Sequence, residues 1–111
     1  MAEITFEDKG KVQVITISGR FTIEDKDQFQ RNVKDRISFE KEASCILASD
    51  LKYIDSSGIG DLLKLKMEAA KGSHTIYVVG LNESIQKVFT MARLDSVFVM
   101  LSPDDYKAKF G

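Results

Sequence analysis

One cysteine, one histidine and one proline occur among the 111 residues, and no apolar run approaches the roughly 20 residues that a membrane-spanning helix needs. A single cysteine cannot form a disulfide within the chain. Cys45 lies in the apolar run Cys45-Ile46-Leu47-Ala48, where a buried small hydrophobe is expected. The single histidine, His74, has no ligand partner at useful spacing, so neither a metal site nor a metal cofactor is expected. Charge of one sign is also lacking. Sixteen Lys and Arg stand against 17 Asp and Glu, a formal net charge of −1, which gives nucleic acid or an anionic membrane no electrostatic reason to bind. No positively charged N-terminal segment leads into an apolar stretch, which makes a cytoplasmic protein the expectation. No cofactor, direct nucleic-acid partner or membrane partner is anticipated.

What is present is ordinary for a globular protein: 43% hydrophobic and 30% charged residues. The length suits one core and one domain, residues 1–111. The most informative stretch is Asp55-Ser56-Ser57-Gly58-Ile59-Gly60, which joins an extended segment closing at Tyr53 and Ile54 to an amphipathic one. Beyond it Ile59, Leu62, Leu63, Met67 and Ala70 recur at helical spacing. One of the serines then sits at or beside the helix N-cap. There the first N–H groups lack intrahelical partners and the peptide dipoles sum to roughly half a positive charge, so a phosphate is locally stabilised. Two glycines in a first turn are poor helix builders, each costing about 1 kcal/mol relative to alanine. Gly58 and Gly60 fit either close approach by another backbone or a phosphate-bearing partner, or an ordinary capped helix packed on a sheet.

The rest of the chain alternates between the two periods. Ile4 to Phe6 and Val12 to Ile17 read as a β-hairpin turning at Gly10. Gly19-Arg20-Phe21-Thr22 breaks the second strand, and Thr22 with Asp25 has the form of a capping box for a helix from about Glu24 to about Ser38, in which Phe29, Val33 and Ile37 follow at spacings of four. Cys45 to Ala48 has the unbroken apolarity of a parallel strand covered on both faces. The helix after the serines extends to about Lys71, with Gly72 placed as its left-handed terminator. Thr75 to Val79 is a strand. Asn82 caps a third helix with Ile85, Val88, Phe89 and Ala92 on one face and Leu94 closing it. Val97 to Leu101 is a final strand, and Ser102-Pro103-Asp104-Asp105 starts a short C-terminal helix. The order β-β-α-β-α-β-α-β-α predicts an α/β fold, a mixed and mostly parallel sheet of about five strands with helices packed against it.

Catalysis by either serine would need a base, and His74 is the only histidine. It opens the following strand, at the sheet edge opposite the strand-to-helix turn. No phosphate loop ending in Lys-Ser or Lys-Thr and no G-x-S-x-G elbow is present. The chain is therefore not expected to be an enzyme.

Ile54-Asp55-Ser56-Ser57-Gly58-Ile59-Gly60, followed by Leu62-Leu63, resembles the signature of the STAS domain family, and more narrowly that of the bacterial anti-sigma factor antagonists. The element order is similar to that family's fold over nearly the whole chain. Two positions depart from the family pattern: Thr22 replaces an acid in the loop after the second strand, and Leu47 stands where many members have an aspartate. In the family the first serine after the aspartate is phosphorylated by a partner serine kinase, which maps onto Ser56, with Ser57 the second candidate. The resemblance implies a partner-switching cycle. The unmodified protein binds a serine kinase of the histidine-kinase-like ATPase type that doubles as an anti-sigma factor, phosphorylation of Ser56 ends the complex, and a PP2C-type serine phosphatase restores it. Partner contacts are expected around the turn, from Asp55, Ser57, Gly58, Ile59, Gly60, Leu63, Phe21 and Thr22, with Asn82 after the fourth strand, although Ile59 and Leu63 also suit a core and Asn82 a plain helix cap. The alternative is a STAS module without a phospho-switch, binding a nucleotide, a transport-complex partner or other STAS subunits.

Overall fold

Strand β2 (Val12–Phe21) is long enough to be shared by three neighbours, and that sharing sets the architecture of the computed structural model, which describes residues 1–111. Strand β1 (Ala2–Asp8) pairs with it antiparallel along its whole length, and Gly10, at φ +86°, supplies the turn between them. On its other edge the first half of β2 pairs in parallel with β3 (Ala43–Leu47), and its last residues pair in parallel with β4 (Leu51–Ile54). Strand β5 (Thr75–Val79) then joins β3, and β6 (Val99–Leu101) joins β5, both in parallel. The result is the expected mixed, mostly parallel sheet, in the order β1-β2-β3-β5-β6 with β4 on the end of β2.

The helices are α1 (Lys26–Arg36), α2 (Ser56–Ala69), α3 (Glu83–Met91) and α4 (Pro103–Phe110). Register places Ile15, Ile46 and Val78 side by side on one face of the sheet, and these pack into one core with Phe29 of α1, Leu65 of α2 and Phe89 of α3. Phe21 and Phe29 meet edge to face at 5.1 Å between centroids. On the opposite face Val14, Cys45 and Tyr77 share a register row, and α4 lies there, its Phe110 ring 5.2 Å from that of Tyr77.

Several boundaries differ from the expectation, each for a local reason. The sheet has six strands because Ala48-Ser49-Asp50 turns the chain after β3, and Leu51–Ile54 forms a strand of its own. Gly19, at φ +82°, does not break β2; the register shifts there, the strand bends and continues to Phe21. Thr22 and Asp25 do form the capping box, but it opens a 3₁₀ turn (Ile23–Asp25), and α1 begins only at Lys26. Helix α2 stops at Ala69 with Ala70 as its C-cap, and Gly72 is not left-handed. Met67 and Ala70, expected in the core, are exposed, because α2 buries Gly58, Asp61, Leu62, Leu65 and Ala69 instead. In α3 the cap and the core residues Ile85 and Phe89 hold, whereas Val88 and Ala92 face outward. Arg93, at φ +60°, ends that helix, and a second 3₁₀ turn, Leu94–Ser96, shortens β6 to Val99–Leu101. Ser102 caps α4 as expected, accepting from the Asp105 N–H at 3.0 Å.

Candidate functional site

Asp55 organises the turn between β4 and α2. Its backbone is extended, at φ −100° and ψ −180°, and its carboxylate accepts two backbone N–H groups from different elements. Oδ1 takes Gly58 at 2.8 Å and so caps the helix. Oδ2 takes Ile23 at 3.1 Å and ties the turn to the loop after β2. The Asp55 N–H donates to the Phe21 carbonyl at 3.3 Å, and its own carbonyl accepts the Ile59 N–H at 3.0 Å. The N-cap is thus the aspartate and neither serine. An acid suits that place, since its negative charge lies against the positive end of the helix.

With Asp55 as cap, the two serines take the first two helical positions and point apart. Ser56 is exposed. Ser57 is half-buried, and its hydroxyl oxygen is sealed from solvent without a hydrogen-bond partner. A visiting active site can reach the first hydroxyl and not the second.

Gly58 and Gly60 prove to be different devices. A Cβ on Gly58 would lie 2.7 Å from the Phe21 carbonyl oxygen and 2.8 Å from Ile54 Cγ1, so the bare backbone lets the end of β2 and the first turn of α2 pack together. Gly60 is exposed, and a Cβ there would meet nothing within 4 Å. Its missing side chain serves no contact within the chain.

Of the other residues expected around the turn, Phe21 has no exposed surface. Its ring packs on Phe29 and beneath Gly58, so it supports the turn from below and cannot touch a partner, contrary to the expectation. Thr22 closes the capping box: its Oγ1 accepts from the Glu24 N–H at 3.3 Å, while its own N–H donates to Asp25 Oδ2 at 3.0 Å. Ile59 and Leu63 are half-buried against the core rim. Asn82 spends both ends of its amide inside the chain, accepting from the Ile85 N–H at 2.9 Å and donating to the Leu51 carbonyl at 3.0 Å.

Two features of the site escaped the sequence. Ile23 is 60% exposed, an apolar side chain displayed beside Ser56 because Asp55 holds its backbone. The only local signal was an isoleucine directly after a capping threonine. Asp25, fully buried, also accepts the Ala2 N–H through Oδ1 at 3.0 Å, which pins the start of β1 beside the same loop. No pattern in the sequence joins positions so far apart.

His74 is committed elsewhere. Its Nδ1 lies 2.7 Å from the Lys41 carbonyl and its Nε2 2.7 Å from Ser44 Oγ. A carbonyl only accepts, so in the neutral ring Nδ1 donates to it and Nε2 accepts a hydrogen bond from the Ser44 hydroxyl. Both residues are buried, in β3 and at the start of β5, and neither offers a base to Ser56.

An exposed serine on the first turn of a helix, an aspartate cap and two glycines, placed after a parallel strand, are the features of the expected signature. The sequence model of the family described as "Mlab, STAS domain" matches residues 4–102. The chain belongs to the STAS domain family. A search of curated proteins finds no match to this STAS domain. Among solved structures it resembles an anti-sigma factor antagonist from Mycobacterium paratuberculosis, with a TM-score of 0.83 at 18% identity over 99% of this chain and 94% of that one. It also resembles the Bacillus cell fate determinant SpoIIAA in its phosphorylated form, at 0.68 and 14% over 96% and 98%. A sulfate transporter family protein from Wolinella succinogenes gives 0.71 and 15% over 82% and 76%. At these identities the likeness is one of fold, and the three differ in what they are named for.

Proposed function

We propose that this STAS domain is a phosphorylation-switched binding protein, with Ser56 as the phosphoacceptor. The observation that carries the reading is the contrast between the two hydroxyls, Ser56 exposed on the first helical position and Ser57 sealed. The unmodified face is suited to docking. Ile23 and Met67 are exposed, Ile59 and Leu63 half-exposed, and Gly60 leaves a bare stretch of helix on which another backbone can lie. The partner is a serine kinase of the histidine-kinase-like ATPase type acting as an anti-sigma factor, and a PP2C-type phosphatase resets the switch.

Phosphorylation adds roughly −1.5 to −2 charges at Ser56. The helix N-terminus tolerates that charge in the free domain, and the neighbouring Asp55 carboxylate opposes it weakly through water. A partner that buries the turn faces an unpaired desolvated charge instead, costing several kcal/mol. About 3 kcal/mol already lowers affinity more than a hundredfold. Binding of the cognate kinase by Ser56→Ala and Ser56→Asp proteins is the test: the alanine protein binds tightly and takes no phosphate, and the aspartate protein binds at least about a hundredfold more weakly. Equal, tight binding by both overturns the switch. Mass spectrometry after incubation with kinase and ATP assigns the phosphate to Ser56 or Ser57.

The likeness in fold to the Wolinella succinogenes sulfate transporter family protein supports a second reading, a STAS subunit that docks through the same face in a transport complex with no phosphate cycle. Ser56→Asp then weakens docking as well, but no kinase modifies the native protein.

A further inference from the structure

Where the parallel strands begin, at the end of the sheet opposite Ser56, an open groove of about 610 Å³ lies between the β1–β2 turn and the last turn of α4. Backbone bonds fix its base. The Glu42 N–H donates to the Lys11 carbonyl and the Thr75 N–H to the Glu42 carbonyl, both at 3.0 Å, so the starts of β2, β3 and β5 are tied in a row. Tyr77 and Phe110, each half-buried and edge to face at 5.2 Å, make its aromatic side. The Lys109 ammonium stands over both rings, 5.9 Å from the Tyr77 centroid and 5.8 Å from that of Phe110.

Charge around this groove is lopsided in a chain that is otherwise balanced. Lys9, Lys11 and Lys109 line it against a single acid, Glu42. Lys9 is held by Glu7 at 3.6 Å, outside the groove, whereas neither Lys11 nor Lys109 has an ion pair. An ammonium group only donates, so these walls select an anion. Cations arriving from two sides, the turn and α4, suit a head with several acceptor oxygens, and three of them against one acid approach the roughly −1.5 to −2 charges of a phosphate monoester at neutral pH. All three lysines are exposed, so their pull is screened by salt, and the half-buried rings beside them add an apolar surface that inorganic phosphate cannot use. Helix α4 has no fully buried side chain. A ligand touching Phe110 and Lys109 on one side and Tyr77 and Lys11 on the other would therefore fasten that helix to the sheet.

We propose that this groove binds a small aryl phosphate, its ring against Tyr77 and Phe110 and its phosphate between Lys11 and Lys109, and that the ligand clamps α4 in place. Nothing in this rests on Ser56, so the site and the phospho-switch stand or fall separately. Phenyl phosphate is the probe, with inorganic phosphate, which lacks the ring, and benzyl alcohol, which lacks the charge, as controls. On the isotope-labelled full chain at low salt, millimolar phenyl phosphate shifts the backbone amide resonances of Lys11, Thr75, Tyr77 and Phe110, and each control binds at least about tenfold more weakly. Lys11→Gln with Lys109→Gln lowers the affinity at least about tenfold, and Lys34→Gln, on α1, leaves it unchanged. Lys11→Gln alone, which does not touch α4, already weakens binding several-fold, and this keeps the test open if the change at Lys109 loosens the helix. At about ten times its Kd the ligand also slows thiol labelling of Cys45, the register partner of Tyr77 in β3, about tenfold. Equal binding of either control, undiminished binding by the double variant, shifts confined to other parts of the surface, an unchanged rate of Cys45 labelling, or no shifts at all would each overturn the proposal.

Discussion

Two glycines two positions apart are equivalent as letters and opposite as physics. At Gly58 a methyl group would press on the Phe21 carbonyl and on Ile54, neither of which can swing aside. At Gly60 it would project into open space. Gly58→Ala therefore lowers stability by about 1–3 kcal/mol despite alanine's better helix propensity, and Gly60→Ala raises it by about 0.5–1 kcal/mol, both read from urea denaturation midpoints. Should Gly60→Ala also weaken kinase binding while stabilising the fold, its bareness serves a partner. The sequence announced both glycines and could not separate them, because the difference lies in Phe21, 37 positions before Gly58. Asp61 teaches the same at the level of charge. Burial makes it hold its proton more tightly when folded than when unfolded, so over the interval above the ordinary carboxylate value of 3.8 the native protein binds more protons and its stability falls as the pH rises. Asp61→Asn, which does not titrate, gains on the native protein as the pH is raised through that interval, and denaturation at pH 3.5, 5 and 7, roughly bracketing the transition, measures the widening gap.

At the scale of one element, α2 carries two apolar stripes, and the helical period alone does not say which faces inward. Gly58, Leu62, Leu65 and Ala69 form the buried one; Ile59, Leu63 and Met67 run from half-buried to fully displayed, Met67 at 68% exposure. The apolar set that recurs in the sequence, Ile59, Leu62, Leu63, Met67 and Ala70, straddles the two: Leu62 is buried, Ile59 and Leu63 are half-buried, and Met67 and Ala70 face outward. What decides the phase is closeness to the sheet, which favours the small residues. Leu65→Ala accordingly costs about 2–5 kcal/mol in the thermal or chemical unfolding of the domain, and Met67→Lys changes stability by less than about 0.5 kcal/mol. The existence and kind of every helix were legible because caps and periods are local: Asn82 on α3, Ser102 on α4 and the Thr22–Asp25 box all form as expected. Strand β4 was not legible as a strand separate from β3, because only three residues, Ala48, Ser49 and Asp50, lie between them.

At the scale of the whole molecule, the two faces of the sheet are covered unequally. Three helices and an 18-residue core lie on one side, while the other rests on α4, eight residues with no fully buried side chain. Cys45 belongs to this thinner side. It shares a register row with Val14 and Tyr77, and α4 reaches that row through the Phe110 ring. The thiol is completely buried, and burial pushes its pKa up to about 11, so the reactive thiolate is scarce at neutral pH even before access is considered. Modification of Cys45 by a thiol reagent in the native protein must therefore wait for an opening, and its rate reports which one. If α4 stays docked until the domain unfolds as a unit, labelling in rising urea follows the global unfolding free energy with the same dependence on denaturant. The absence of any buried anchor in α4 argues for the other outcome. Cys45 is expected to react through a smaller opening, faster than global unfolding predicts and with a weaker dependence on urea, while the core around Leu65 and Phe89 stays closed. Tyr106→Ala and Phe110→Ala, which strip α4 of its aromatic contacts, then accelerate labelling more than they lower the unfolding midpoint, and equal effects on both would place α4 inside the cooperative unit.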